Sequence, residues 1–474
     1  MAETPAAVTA LLHDDEFHAE AVTRVMRLRI PIITLAWGWR SVFPGLQVGG
    51  EAELLVGRLH DGRERMTRAL GGAMANNNTA AQQECLAALE AYLPNLLQLL
   101  SSLESQKPKQ TNLTLSFTWL GSFAGSGAPY TSKFIIYEVC LVLHALGVVN
   151  YIHGVSLLAL GSSNLKAASA VFLKSSSYFL NLAMTTLPRW NRDNLETKPA
   201  PCELDESTCM AASHLARAAA QQCAISVAMR TPGSKLGVLA KLCAAVVEEA
   251  EGCLLCLKSN KSSPPNPVLG VHGAFLRELF GSLAFYFQGR ELCEGSMKTE
   301  KFGEGIAFFN MSVSKLSLQG SASTGGPHNP NLPGMPRTMV APSGSIGKFL
   351  TIVGEARAAA MRDNDVIYFH TIPASCHVEL LPRGFSVIAP EVPADVRGPI
   401  KFVDFHESAP IQASNPPIAP SVLQFGSASA EGDVSTHGAS LLNQQQPAAA
   451  ACPTCTFENP HGTPACQMCE TELK

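Results

Sequence analysis

From about residue 20 to 310, apolar residues recur every three or four positions, a spacing that predicts amphipathic α-helices. The stretches 81–103 and 207–229 are long examples, and both are rich in Ala. The sequence Thr-Pro-Gly at 231–233 ends the second helix, because Pro removes a backbone donor and Gly relaxes the chain. Ser234 is then placed to cap a further helix. The apolar face of that helix consists of Leu236, Leu239, Leu242, Cys243, Val246 and Val247.

Several long helices with short breaks predict a mainly α fold, and a short apolar run at 30–35 predicts a small β element before them. The segment 134–160 is apolar and long enough to span a bilayer. It also carries polar and ionisable groups that are costly at membrane depth, namely Glu138, His144, Asn150 and His153. We interpret it as a helix buried in a helical array, in preference to a membrane span.

Two regions lack this periodicity. Residues 320–345 are rich in Gly, Pro, Ser and Asn and predict a long, disordered surface loop. Residues 404–451 are rich in Pro, Ser, Ala and Gln and predict a flexible linker spanning roughly 40 Å. The predicted organisation is an N-terminal tail at 1–19, a helical domain at 20–403, the linker, and a small module at 452–474.

Composition narrows the function classes. Lys and Arg total 35 against 39 Asp and Glu, a net charge of −4 that argues against a strongly basic nucleic-acid binder and against polybasic membrane attachment. Ten of the 14 cysteines are scattered from Cys85 to Cys376 without framework spacing, which is typical of reduced thiols. The first 20 residues lack an apolar signal core, so we expect a cytoplasmic protein. Cys253 and Cys256 lie inside a predicted helix, where a core role is favoured over metal binding.

The other four cysteines form two closely spaced pairs, Cys452-x2-Cys455 and Cys466-x2-Cys469. Paired knuckles of this kind place four thiolates around a tetrahedral zinc ion and leave no open position for catalysis. The module has too few apolar residues for a core, so zinc binding would supply its folding energy. A chance cluster in a disordered tail is the alternative.

The residues around these cysteines restrict the type of zinc module further. Thr456 and Phe457 directly follow the second cysteine, Asn459 comes four positions after it, and Met468 lies between the last two. This pattern resembles the Ran-binding type of zinc finger, and more narrowly its Npl-four subclass. The resemblance implies that Thr456, Phe457 and Met468 contact the isoleucine-centred patch of ubiquitin, although Phe457 packing on the zinc loops is an alternative. Ala450 departs from the family, which often has Trp there.

Nucleic-acid binding and catalysis find little support. Residues 452–469 contain no Lys or Arg, so a finger at this position lacks attraction for RNA phosphates. The sequence at 344–349 resembles a phosphate loop, but Pro342 and Phe349 occupy positions that need Gly and Ser or Thr. No GxSxG nucleophile motif is present. We therefore expect no enzymatic activity.

Four separated patches of residues follow one another along the helical region. They are 117–119 with 137–138 and 142–143; 167–168 with Phe172, Tyr178 and Phe179; 301–307; and 363–365 with Ile367, Tyr368 and Pro373. This ordered set resembles the Bro-one domain of Alix-type proteins over roughly residues 20–400. The resemblance implies a curved, tetratricopeptide-like helical array with a small sheet near its N-terminus.

Similar domains bind the C-terminal amphipathic helix of the Snf-seven-type ESCRT-III subunit, by helix-in-groove recognition. The helix at 238–242 matches the groove helix of that family, so the resemblance assigns Val238 and Leu242 to the groove. Packing of both residues into the array is an equal alternative. A third groove position is aromatic in the family and falls near Gln222 or Cys223 here.

Together these features predict a non-catalytic, ESCRT-associated adaptor in endosomal and multivesicular-body sorting. It would be cytoplasmic, recruited to endosomes, and at most peripherally associated with the membrane. It would bind ESCRT-III through its helical domain and ubiquitin or ubiquitinated proteins through its zinc finger. The alternative is a ubiquitin-binding scaffold of another pathway, whose groove holds an unrelated peptide.

Overall fold

The computed structural model describes residues 32–33, 50–76, 78–105, 116–120, 130–193, 201–231, 234–259, 267–295, 298–316, 345–373, 450–451 and 458–459. Within them the fold is mainly helical. The helices are α1 (Glu51–Asn76), α2 (Thr79–Ser105), α3 (Ile135–Ala159), α4 (Leu165–Asn181), α5 (Leu187–Asp193), α6 (Glu206–Arg230), α7 (Leu236–Ser259), α8 (Pro267–Glu294), α9 (Lys298–Leu316) and α10 (Ser345–Asp363). Neighbours along the chain pack against each other from α1 to α4 and again from α6 to α10, and α4 packs on α6. Sequential helix-on-helix packing is thus the architecture of this region.

Three short strands form an antiparallel sheet. They are β1 (Ile32–Ile33), β2 (Phe117–Leu120) and β3 (Tyr130–Ser132), with β2 in the centre. Ile32 pairs with Leu120, and Phe117 pairs with Ser132. The β element predicted at 30–35 is confirmed, and the sheet contacts α1 and α3 at one end of the array.

Helix α3 occupies the interior of the first half of the array. It packs between α2 and α4. Of the residues in its most apolar stretch, 94% are buried inside the protein. Its polar side chains find partners there: Asn150 Nδ2 donates to the Leu146 carbonyl at 2.7 Å, and His153 Nδ1 lies 3.3 Å from Gln82 Oε1. Among the described residues α3 is the one helix long and apolar enough to cross a membrane, and the structure places it in the core.

The carboxylate of Glu138 is fully buried and joins four elements. Arg63 Nε of α1 donates to Glu138 Oε1 at 2.9 Å, and Trp119 Nε1 of β2 donates to Oε2 at 2.6 Å. Tyr92 of α2 donates its hydroxyl to Oε1 at 3.3 Å. This network explains why the first sequence patch pairs an aromatic strand with a glutamate on the following helix.

Two glycines of α3 let aromatic rings of α4 approach its backbone. A Cβ at Gly147 would lie 2.8 Å from the Phe179 ring, and a Cβ at Gly154 would lie 2.7 Å from the Phe172 ring. The two glycines are seven residues apart on α3, and the two phenylalanines are seven residues apart on α4. Each set therefore lies along one face of its helix. The second sequence patch therefore encodes a close approach of α4 to α3.

The helices predicted at 81–103 and 207–229 are confirmed as α2 and α6. The capping role predicted for Ser234 is wrong. Its Oγ donates to the Ala228 carbonyl at 2.5 Å, so it serves the end of α6, and α7 begins only at Leu236. The loop predicted at 320–345 lies outside the described residues, apart from Ser345, which begins α10.

Candidate partner-binding groove

The predicted groove residues lie near the start of α7, which packs between α6 and α8. Leu242 is 1% exposed and belongs to the main hydrophobic core. Val238 is half-buried at the first turn of the helix and packs against the edge of the same core. Of the two residues, Val238 therefore keeps some exposed surface, whereas Leu242 is enclosed in the core.

On the neighbouring helix α6, one of the two candidate groove residues is likewise half-buried and the other is buried. Gln222 of α6 is half-buried, whereas Cys223 is 1% exposed and lies in the core. Neither position supplies an aromatic ring. The aromatic contact expected from the family pattern is therefore absent at these two positions.

The third and fourth sequence patches meet at the far end of the array. The Phe302 and Tyr368 rings stack with centroids 4.1 Å apart, and a Cβ at Gly303 would collide with the Thr371 carbonyl. Asn364 fixes the returning chain, because its Oδ1 accepts from the His370 backbone amide and its Nδ2 donates to the His370 carbonyl, both at 3.0 Å. These patches thus encode one structural junction after α10.

The same junction exposes an apolar surface, of which the fourth sequence patch included only Ile367. Val366 is 72% exposed, Ile367 61% and Phe369 74%. Phe369 has a positive φ of 53°, which is uncommon for a residue other than Gly. The signal in the sequence is a run of apolar residues directly after the polar triplet 363–365, where a surface turn is expected to be polar.

The nine cysteines that lie in the described ranges are all free thiols, most of them buried in the helical core. Burial raises the pKa of Cys85, Cys223 and Cys253 to about 12, so these thiols are neutral at physiological pH. Cys253 is a core residue, as its place in a helix predicted. No group of three or more His, Cys, Asp or Glu side chains suited to a metal occurs in this part of the chain.

The predicted zinc ligands Cys452, Cys455, Cys466 and Cys469 lie outside the described residues, as do Thr456, Phe457 and Met468. The structure does describe two short strands beside the first pair of cysteines, β4 (Ala450–Ala451) and β5 (Glu458–Asn459). They pair antiparallel, with Ala450 opposite Asn459. The position at which the family often has Trp is therefore occupied here by a strand residue.

The stability of this scaffold should depend on pH through two buried histidines. Burial lowers the pKa of His144 to about 4, against an opposing effect of Glu203, and lowers that of His272 to about 3. Both rings must gain a proton when the chain unfolds in acid, so their stabilising effect is complete above pH 6.5 and is lost as the pH falls below it. For each of the two histidines, protonation in the unfolded chain should lower the unfolding free energy by about 2 kcal/mol between pH 7 and pH 5.

Urea unfolding of wild type and His272→Leu at both pH values checks this. The variant should lose less stability in acid than wild type. Phe275→Leu removes the ring that stacks on His272 without removing a titratable group, and should lose as much as wild type. Equal losses for wild type and His272→Leu would contradict the expectation.

Comparison with known proteins identifies the family. The profile of the BRO1-like domain matches residues 68–413, which is most of the chain. The chain belongs to the BRO1-like domain family. A comparison with curated protein sequences gives no match.

Solved structures share the fold of this BRO1-like domain at low sequence identity. The ALIX BRO1–CHMP4C complex is 19% identical with a TM-score of 0.56, and the match covers 80% of this chain and 98% of that one. A structure that describes endosomal targeting by the Bro1 domain is 17% identical with a TM-score of 0.55, covering 77% and 92%. ALIX in complex with the SIVmac239 PYKEVTEDL late domain is 18% identical with a TM-score of 0.54, covering 81% of this chain and 51% of that one.

Proposed function

We propose that this protein is a non-catalytic adaptor of endosomal sorting, whose helical domain binds the C-terminal amphipathic helix of a Snf-seven-type ESCRT-III subunit. The observation that carries the proposal is the BRO1-like domain itself, which spans most of the chain. Similar folds are seen in the ALIX BRO1–CHMP4C complex and in a Bro1 domain described in endosomal targeting. The protein would work in the cytoplasm and reach endosomes through its partners.

The proposed docking surface is the start of α7 with the facing side of α6. Val238 provides a half-buried apolar contact there, and the buried Leu242 one turn later holds the surface in place. A helix in such a groove gains most of its affinity from apolar anchors on successive turns. Because the position that is aromatic in the family falls near Gln222 or Cys223 here, we expect weaker binding than in relatives that keep the ring.

The test measures binding of the full chain to a labelled peptide of an ESCRT-III C-terminal helix by fluorescence anisotropy. Val238→Asp should raise Kd at least about tenfold, because it places a charge against the apolar face of the peptide. Leu255→Asp is the matched control, since Leu255 lies on α7 and is 69% exposed. It should leave Kd unchanged.

Circular dichroism must show the same helix content in both variants, and Val238→Ala serves as a milder version if the aspartate perturbs folding. Equal affinity of wild type, Val238→Asp and Val238→Ala would remove Val238 from the groove. Absence of any binding by the wild-type chain would count against the ESCRT-III proposal as a whole.

We further propose that residues 452–474 form a zinc finger that binds ubiquitin, with Cys452, Cys455, Cys466 and Cys469 as ligands. The antiparallel pairing of Ala450–Ala451 with Glu458–Asn459 supports this proposal, because it brings the chain on either side of the first cysteine pair together. Thr456, Phe457 and Met468 would provide the contact surface. Tethering by the segment 404–451 would let two weak contacts act together on ubiquitinated cargo or machinery.

A further inference from the structure

The hydroxyl of Thr231 lies where α6 ends, between the two helices of the proposed docking surface. Thr231 Oγ1 donates to the Val227 carbonyl at 3.0 Å, in an exposed contact. The Thr231 backbone amide donates to the Val227 and Ala228 carbonyls at 3.2 and 3.1 Å. Thr231 thus closes the C-terminal end of α6 with both its amide and its hydroxyl.

The surroundings of Thr231 leave its side chain within reach of another protein. Thr231 is half-buried, Val227 one turn before it is 38% exposed, and Arg230 and Lys235 on either side are exposed. Thr231 has φ −78° and ψ 117°, so its backbone is extended and no longer helical. The residue before a proline favours this conformation. Because α7 begins only at Leu236, Thr231 belongs to neither helix.

Pro232 gives this hydroxyl a sequence context that an enzyme can recognise. A Ser or Thr directly before Pro is the minimal acceptor sequence of proline-directed protein kinases. The chain has four such positions, Thr4, Thr231, Ser263 and Thr463. Of these four, Thr231 is the one that lies in the described part of the chain, at the start of the proposed docking surface.

The segment around Thr231 carries positive charge. No Asp or Glu occurs in the sequence from Ser207 to Val247, whereas Arg230 directly precedes Thr231 and Lys235 follows it by four residues. A phosphothreonine has about −1.5 to −2 charges at pH 7 and attracts such side chains. A phosphate on Thr231 would therefore bring the first negative charge into this basic segment.

We propose that Thr231 is a phosphorylation site of a proline-directed kinase, and that phosphate there weakens docking at the start of α7. The second part rests on the function proposed above. In the transfer, Thr231 Oγ1 attacks the γ-phosphorus of ATP, and the bond from that phosphorus to its bridging oxygen breaks. ADP leaves, and the hydroxyl proton passes to a base of the kinase. No group is oxidised or reduced.

The phosphate acts on the ends of both helices. The esterified oxygen no longer donates to the Val227 carbonyl, and a negative charge at the C-terminal end of α6 opposes the helix dipole. At the start of α7, the Lys235 carbonyl accepts from the amides of Val238 and Leu239 at 3.0 and 3.3 Å. Because the phosphate attracts the Lys235 side chain, it disturbs the turn that positions Val238.

The first experiment treats the full chain with a purified mitogen-activated protein kinase and ATP, and locates phosphate by peptide mass spectrometry. Thr231 should reach at least about tenfold higher occupancy than Thr351. Thr351 is the comparison, because it is exposed on α10, its Oγ1 donates to the Gly347 carbonyl at 3.1 Å, and Ile follows it. Occupancy of Thr231 no greater than that of Thr351 would overturn the proposal.

Pro232→Ala tests the recognition itself, since it keeps the acceptor hydroxyl and removes the proline. It should lower the occupancy of Thr231 about tenfold. An unchanged occupancy in this variant would exclude a proline-directed kinase.

The effect on docking is measured in a chain with Thr4→Ala, Ser263→Ala and Thr463→Ala, which keeps Thr231 as its one Ser or Thr before Pro. Phosphorylation of this chain should raise Kd for the ESCRT-III peptide about fivefold, and phosphatase treatment should restore the original Kd. An unchanged Kd in the phosphorylated chain would overturn the regulatory part of the proposal.

Hydrogen exchange of the backbone amides at 227–239 tests the same effect without the peptide. Phosphate should speed exchange of the Thr231 and Val238 amides at least about threefold. Unchanged exchange would contradict an effect on the helix ends. Absence of peptide binding before phosphorylation would count against the ESCRT-III proposal alone, because occupancy and exchange are measured independently of that peptide.

Discussion

Replacing Glu138 by Ala should lower the unfolding free energy of the helical domain by about 3–5 kcal/mol. The substitution leaves the Arg63 guanidinium buried at 2% exposure without the carboxylate that it contacts. It also removes the acceptor of the Trp119 and Tyr92 hydrogen bonds, so α1, α2 and β2 all lose contacts with α3. Urea unfolding followed by circular dichroism measures the difference.

Glu84→Ala is the control, because Glu84 is exposed on α2, and it should change stability by less than about 0.5 kcal/mol. The double variant Arg63→Met, Glu138→Leu should regain part of the loss, since no charge is then left buried. If Glu138→Ala lowers the unfolding free energy by less than about 1 kcal/mol, its effect is close to that of an ordinary surface substitution. That result would contradict a stabilising role of the network.

Removing zinc should abolish ubiquitin binding and leave ESCRT-III binding intact. A small four-cysteine module draws about 10–16 kcal/mol of apparent free energy from its metal, so without zinc it has no folded surface to present. Addition of the full chain to ¹⁵N-labelled ubiquitin should shift the resonances around its isoleucine-centred patch. Cys466→Ser, or treatment with a chelator, should eliminate these shifts.

Phe457→Ala separates contact from folding, because it should retain zinc and lose the ubiquitin shifts. The anisotropy assay with the ESCRT-III peptide serves as the internal control, since it depends on α6 and α7. Ubiquitin shifts that persist in Cys466→Ser would exclude the zinc finger as the binding site. Loss of both activities in the same variant would show instead that the chain as a whole had misfolded.

The positions of the helices could be predicted because periodicity is a local property. The apolar pattern at 81–103 and at 207–229 placed α2 and α6 to within two residues of their ends. The family resemblance assigned Val238 and Leu242 to one groove on α7, but it could not give the depth of either side chain. Depth depends on how α6 and α8 close over the helix, so Leu242 proved to be core and Val238 an edge residue.

Interactions between distant segments could not be predicted in this way. The presence of Glu138 in an apolar segment argued against a membrane span, but it did not indicate which residues Glu138 contacts. Its partners Arg63 and Tyr92 lie 75 and 46 residues earlier in the chain, on two other helices. The close approach of Phe179 to α3 similarly depends on Gly147, whose role appears only when the two helices are packed. The sequence marks such residues as unusual, and tertiary packing supplies the reason.

The burial of α3 also has a consequence for synthesis on the ribosome. Its covering helices are α2, made before it, and α4, which ends only at Asn181. A nascent chain that has released α3 but not α4 exposes the face of this 25-residue helix on which Gly147 and Gly154 lie. During that interval we expect the uncovered face to be prone to aggregation, until Phe172 and Phe179 emerge and pack on it.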